Sequence, residues 1–243
     1  MGSTTQRAHT GTSGTPGASG TSGTTKGSAT AERKRARERR ILAATRDLFD
    51  ARGLRDALID DIARAVGINR AIIYRHFTSK EELFALTQVD YLHELGERLA
   101  AVDGSGGTPT QRLAALTRTF VEYGVEFPAF VDCAQTLMSR PIDELMQEVS
   151  EPAITRLGEA MTGCLSHLVS ALDDGNGTGE FRVEDVDLLA NTLYAQGLGG
   201  LALARVGTII KESGGGTPDV TPISVEQVSD YLVRTALALA SHT

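Results

Sequence analysis

The 243-residue chain has no tryptophan, only two cysteines, seven prolines and few aromatic residues. Nowhere does it offer the roughly 18 consecutive apolar residues that a membrane span requires, and its opening segment lacks the apolar centre of a secretory signal. Cys133 and Cys164 stand far apart in the chain, so no disulfide framework is expected. They read as reduced, half-buried thiols of a cytoplasmic protein, with a redox-sensing pair as the lesser alternative. The five histidines, His9, His76, His93, His167 and His242, share no metal-ligand spacing with one another or with the cysteines. No stretch alternates apolar and polar residues over the length of a useful strand. A nucleophile paired with a base, a carboxylate pair and a phosphate loop are all missing, so the chain is not expected to be an enzyme or to hold a metal or cofactor. One segment imitates a dinucleotide loop, Gly197-Leu198-Gly199-Gly200-Leu201-Ala202. It lies inside a continuous helical pattern instead of between a strand and a helix, and tight helix packing is the expected reason for its glycines.

What is present is helical periodicity, and its most informative stretch is Ile59 to Phe77. Ile59, Ile62, Ala63 and Val66 have the spacing of one helical face. Gly67 follows at once, where a left-handed turn costs glycine little and a residue with a Cβ roughly 1 kcal/mol or more. Ala63 gives two crossing helices the small side chain they need. Asn69 is placed to cap the second helix, whose Ile73 and Phe77 face inward. Arg70, Ala71, Tyr74 and Arg75 are then left pointing outward. This reads as a helix-turn-helix, with two short helices of a purely structural bundle as the competing explanation for this segment alone. Downstream, Ser79 and Glu82 have the spacing of a capping box, which sets Lys80 in a first helical turn suited to a phosphate. Upstream, Ile41, Leu42, Thr45, Leu48 and Phe49 form the apolar stripe of a helix ending near Gly53.

The order and residues of this region resemble the N-terminal DNA-binding domain of TetR-family transcriptional regulators. The matching residues run from Ile41 to Phe84. They include Leu48-Phe49, Gly53, Asp61-Ile62-Ala63, Gly67-Ile68, Tyr74, His76-Phe77 and Lys80-Glu81-Glu82-Leu83. The resemblance implies an all-α fold: a three-helix helix-turn-helix domain followed by a helical ligand-binding and dimerisation domain. It also implies a DNA interface of Asn69, Arg70, Ala71, Ile72 and Arg75 at bases or nearby phosphates, with Tyr74, His76 and Lys80 on the backbone. The chain departs from the family in two places. Ala57 stands where a threonine usually opens the second helix, leaving Asp56 to cap it. Ala71 and Ile72 replace glycine and threonine, which suggests an apolar contact such as a thymine methyl.

Charge supplies a separate test. The chain carries a net −7, which taken as an average argues against nucleic acid. Residues 31–80, however, hold 13 Lys and Arg against 7 Asp and Glu, whereas residues 81–243 hold 9 against 24. Positive charge is thus concentrated in the proposed reading head. Residues 1–30 are mostly Gly, Ser and Thr and are expected to form a disordered tail. The six cations between Ala31 and Arg40 extend the first helix toward DNA, trail into a minor groove, or simply form a solvated helical start.

Residues 31–84 are therefore expected to form the DNA-binding domain and residues 85–243 the helical effector-binding and dimerisation domain. In that body, Phe120, Tyr123, Phe127, Phe130, Cys133, Met138, Met146 and Met161 suit an adaptable apolar pocket, with Tyr123, Gln135 or His167 as its polar handle. Ordinary core packing is the competing explanation for the same residues. The run Asp187 to Ile210 and the helix Val225 to Ala240 are apolar around much of their circumference, as a homodimer interface would require. The resulting expectation is a dimeric regulator, on the family's pattern a repressor, that binds a palindromic double-stranded operator and is released by a small, largely apolar effector. The alternative is a helical ligand-binding or scaffold dimer without sequence-specific DNA binding.

Overall fold

The computed structural model describes residues 23–54, 59–213 and 217–242. Its elements run α1 (Gly23–Arg52), α2 (Ile59–Val66), α3 (Arg70–His76), α4 (Lys80–Asp103), α5 (Pro109–Glu126), α6 (Pro128–Met138), α7 (Ile142–Glu148), α8 (Glu151–Thr178), α9 (Val186–Val206), β1 (Thr208–Ser213), β2 (Thr217–Pro222) and α10 (Val225–His242). The fold is all-α with one small addition. β1 and β2 pair antiparallel, with Ile210 opposite Val220, in a chain where no strand was expected. The pairing is easy to miss because Pro218 and Pro222 interrupt the alternation that marks a strand.

Residues up to Arg37 form one compact unit and those from Glu38 onward another. In the first unit, residues 29–37 are helical and exposed. Helical backbone begins at Gly23, eight residues inside the segment expected to be a disordered tail. Once a helix is nucleated, extending it is far cheaper than starting it, so weak formers can be recruited. The rest of the proposed tail, with His9, lies outside the described residues, as do Asp56 and Ala57.

In the second unit, local signals close each turn of the head. Gly53 takes a φ of 76° and its N–H donates to the Phe49 carbonyl at 2.8 Å, ending α1. Gly67 takes a φ of 72°. Around it the Ile68 N–H donates to Ala63 and the Gly67 N–H to Arg64, the paired bonds of a Schellman motif. Asn69 Oδ1 accepts from the Ile72 N–H at 3.0 Å and opens α3. Ser79 opens α4 by accepting from the Glu82 N–H at 2.9 Å.

From Glu82 to Val89 every residue of α4 is buried, and the helix packs against α5, α6 and α8. The boundary expected at Phe84 therefore falls inside a continuous helix. The head's core, with Ile41, Ile62, Ile73, Phe77 and Leu83, also includes Leu137, Leu145 and Ala153 from α6, α7 and α8, and Val149 from the turn between α7 and α8. Head and body share one apolar cluster. Among the described residues no helix is long and apolar enough to cross a membrane, and no group of three or more His, Cys, Asp or Glu could hold a metal ion.

The glycines of α9 divide by face. A Cβ on Gly197 would lie 2.6 Å from a Phe120 ring carbon and one on Gly200 2.7 Å from a Leu232 methyl, while Gly199 has nothing within 4 Å. Helix packing thus accounts for the segment that imitates a dinucleotide loop. Gly197→Ala should gain about 1 kcal/mol of helix propensity and lose about 1–3 kcal/mol to overpacking against Phe120. The expected net result is destabilisation near 1 kcal/mol, read from urea unfolding; a stabilised variant would show that the ring moves aside freely.

Candidate nucleic-acid interface and ligand cavity

In α3, the buried Ile73 and the Phe77 that follows the helix hold it against the head's core. That anchoring turns Asn69, Arg70, Ala71, Tyr74 and Arg75 outward, all of them exposed, with Ile72 half-buried between. The guanidinium of Arg70 sits 5.5 Å from the centre of the Tyr74 ring and 3.4 Å from its hydroxyl. This contact pre-orients both side chains on one surface. Exposed Lys80 stands in the first turn of α4, its ammonium 4.9 Å above the Phe84 ring.

Two of the proposed DNA contacts have internal duties. The oxygen of Asn69 is taken by the α3 cap. His76 is only 9% exposed at its side chain, with Nδ1 3.2 Å from Glu38 Oε1. It acts as a strut from α3 to α1, because the histidine lies on the flank of α3 that faces α1. The outward set is therefore Arg70, Ala71, Tyr74 and Arg75, joined by Lys80.

A cluster of polar groups stands where α3 gives way to α4. Glu82 is buried, and its carboxylate accepts from the Thr78 N–H at 2.5 Å, from the Thr78 hydroxyl, and from the Ser150 hydroxyl at 2.5 Å. The Ser79 hydroxyl donates to the Glu148 carbonyl at 2.6 Å. The capping box is thus displaced by one residue: Glu82 reaches the amide of Thr78 instead of Ser79, and also ties the entrance of α4 to the turn between α7 and α8.

The aromatic residues expected to line a pocket do come together, as packing. Tyr123 and Phe130 meet edge to face with ring centres 5.3 Å apart, Phe120 meets Phe130 at 5.9 Å, and Phe127 lies 4.9 Å from Tyr123. Tyr123, Phe130 and Cys133 are fully buried, and the Tyr123 hydroxyl donates to the Tyr91 carbonyl at 2.9 Å. Phe127 lies under the guanidiniums of Arg46 and Arg98. These residues belong to the core because α5 and α6 turn them toward α4, and none of these four lines either of the cavities described below. His167 points elsewhere, with Nδ1 3.2 Å from Asp103 Oδ2. Gln135 donates to the Leu198 carbonyl at 3.2 Å, and half-exposed Met146 lies on α7 outside both cavities. Burial pushes the Cys164 thiol up to about 12 and that of Cys133 higher still. Both are free thiols and fully buried, where half-burial was expected.

Among the described residues, two spaces have walls that are almost wholly apolar. A small one of about 40 Å³, touched by Phe120, Leu165, Tyr194 and Leu232, is a packing gap. The larger, of about 340 Å³, is lined by residues from α4, α6, α7, α8 and α9. Met138 and Met161 are the two expected residues that line it, and half-exposed Met138 and Ile142 form its mouth. Sequence reading missed Gln88, Leu92, Leu145, Leu157 and Tyr194. One signal was available: Gln88 shares its helical face with Phe84, Ala85, Tyr91 and Leu92, all of them apolar or aromatic.

Residues 41–86 match the family described as bacterial regulatory proteins, tetR family. The HTH-type transcriptional repressor KstR2 of Rhodococcus jostii is 29% identical over 155 residues, spanning 64% of this chain and 72% of that protein. Among solved structures, a bacterial regulatory protein in the tetR family from Rhodococcus RHA1 superposes with a TM-score of 0.60 at 16% identity, covering 84% of this chain and 97% of the other. FadR from Bacillus subtilis, in complex with stearoyl-CoA, gives 0.59 at 14% identity over 82% and 97%. At such identities the two structures speak for the fold.

Proposed function

We propose that this chain, whose residues 41–86 match the tetR family of bacterial regulatory proteins and which resembles the repressor KstR2, represses transcription as a homodimer on a twofold-symmetric operator and leaves the DNA when a small, largely apolar effector enters its helical domain. The observation that carries the reading is the α3 surface: Arg70, Ala71, Tyr74 and Arg75 exposed together, anchored from behind by Ile73 and Phe77, in the basic part of an acidic chain. A helix so held presents side chains to a major groove without first having to order itself. Regulation of this kind places the protein in the cytoplasm, with the DNA.

Dimerisation is supported by apolar surface on the last two helices. Leu188, Leu203 and Val206 on α9 and Tyr231 on α10 are all at least 40% exposed. Along α9 they continue through exposed Ala195 and Gly199, spaced as one helical stripe. Small residues in its middle suit close approach of a second helix. Exposed Ile210 and Val220, partners across the hairpin, add to the apolar surface that follows α9. A twofold dimer would present two α3 helices to two half-sites.

The test is binding-site selection with the purified protein, followed by titration on the enriched duplex and a scrambled one. Arg70→Ala should weaken specific binding by about 1–3 kcal/mol if it reads a guanine. Lys80→Ala should weaken both duplexes alike and flatten the dependence of log K on log salt by about one unit. Equal losses from both variants on both duplexes would refute this division of labour.

A further inference from the structure

An effector of the helical domain, on the reading proposed above, needs a group that fixes its orientation. Gln88 is distinctive in this respect. Among the described residues it is the one whose buried side-chain polar atoms, both Nε2 and Oε1, lack a hydrogen-bond partner. It is 2% exposed and lines the larger cavity. Burial raises the Tyr194 phenol well above its ordinary range and the nearby Gln88 amide opposes this, yet no hydrogen bond of good geometry closes between them. A primary amide placed among apolar groups with its donor and its acceptor both unused is disfavoured in a folded protein unless something else uses them.

The remaining wall is apolar, including Leu92, Ala134, Leu137, Leu157 and Met161. Its one cation, Arg140, is already bound to the carboxylate of Glu148. At about 340 Å³ the space falls within the range of small-molecule sites, roughly 300–1,000 Å³. The geometry assigns this cavity to a neutral, mainly apolar molecule bearing a carbonyl or hydroxyl oxygen, with Gln88 as the residue that recognises that oxygen. Nε2 donates to a carbonyl, and Oε1 accepts from a hydroxyl. A carboxylate is selected against, since burying it here would provide no free counter-charge.

Three probes of similar size test the assignment on the full chain by calorimetric titration: n-butylbenzene, benzylacetone, which carries a ketone, and hydrocinnamate, which carries a carboxylate. Transfer from water favours the hydrocarbon, so the informative quantity is the ratio of Kd for benzylacetone to that for n-butylbenzene, compared between the wild type and Gln88→Leu. The substitution should weaken the ketone and tighten the hydrocarbon, shifting the ratio by about tenfold or more. An unchanged ratio overturns the role of Gln88. Absence of binding by both neutral probes to the wild type overturns the cavity as a site. Hydrocinnamate binding as tightly as benzylacetone overturns the neutral class and points to Arg140. Wild-type binding to the selected duplex, measured without probes, reports separately on the regulator reading: its loss refutes that reading while leaving the ligand assignment standing, and its persistence beside an unchanged ratio refutes only the assignment.

Discussion

Tyr231→Asp is expected to convert the protein to a monomer and to lower operator affinity by roughly 100-fold or more. Tyr231 is 64% exposed on α10, beside an α9 surface that carries Leu188, Leu203 and Val206 in the open. If that surface is shared by two copies, an aspartate there must be buried with only Arg234, which now lies 5.8 Å from the Tyr231 ring centre, to offset its charge, or must hold the copies apart, and either outcome is costly. Operator binding suffers more than the interface itself, because tethering two heads makes the second half-site contact intramolecular and raises avidity by about 10²–10⁴. Sedimentation equilibrium reads the first effect and titration on the selected duplex the second. A variant that stays dimeric at micromolar concentration would move the interface away from α10. One that becomes monomeric with undiminished affinity would refute the two-headed reading of the operator.

Glu82→Ala should cost about 3 kcal/mol of unfolding free energy, a large share of a typical domain's stability. The carboxylate accepts from the Thr78 N–H, the Thr78 hydroxyl and the Ser150 hydroxyl in a nearly dry setting, and bonds to a charged acceptor are the strong ones. Alanine removes all of them while leaving the Ser79 cap on α4 in place. Glu82→Gln keeps one acceptor oxygen and should fall between. Urea unfolding measures the cost, and amide exchange at Thr78 locates it. A loss below about 1 kcal/mol would mean that water or Ser79 takes over the orphaned donors. Since Ser150 lies at the start of α8, whose Leu157 and Met161 line the larger cavity, the same variant should also weaken communication from cavity to head. Effector-induced release of DNA, compared with the wild type at equal occupancy, measures that.

The head could be read from sequence almost residue by residue because its signals are local. Gly67 needs only its own backbone to declare a turn, Asn69 and Ser79 cap within three residues, and Ile73 and Phe77 reveal their inward face by spacing alone. The cavity could not be read this way. Phe120, Tyr123, Phe127 and Phe130 have the chemistry of a pocket lining, and whether they line a space or fill it depends on how α5 and α6 are turned against α4, which no spacing records. Met138 and Met161 fall on the cavity while Met146, similar in type and separation, does not. The hairpin was hidden by its own prolines. Glu82 shows the limit from the other side: its part in capping was legible, but its bond to Ser150 joins residues 68 apart in the chain.

The apolar cluster common to Ile62, Ile73 and Phe77 on one side and Leu137, Leu145 and Val149 on the other bears on how this protein may be cut and recombined. A fragment ending after Leu86 would lift that lid off its own interior and set Leu83 and Leu86 in water, so a minimal reader excised there should be sticky and poorly folded. Chimeras that swap sensory halves within the fold would fare better if the donor of the reader also contributes α7 and the first turn of α8. The seam of independent inheritance then lies between structural partners, and not at any single point along the chain.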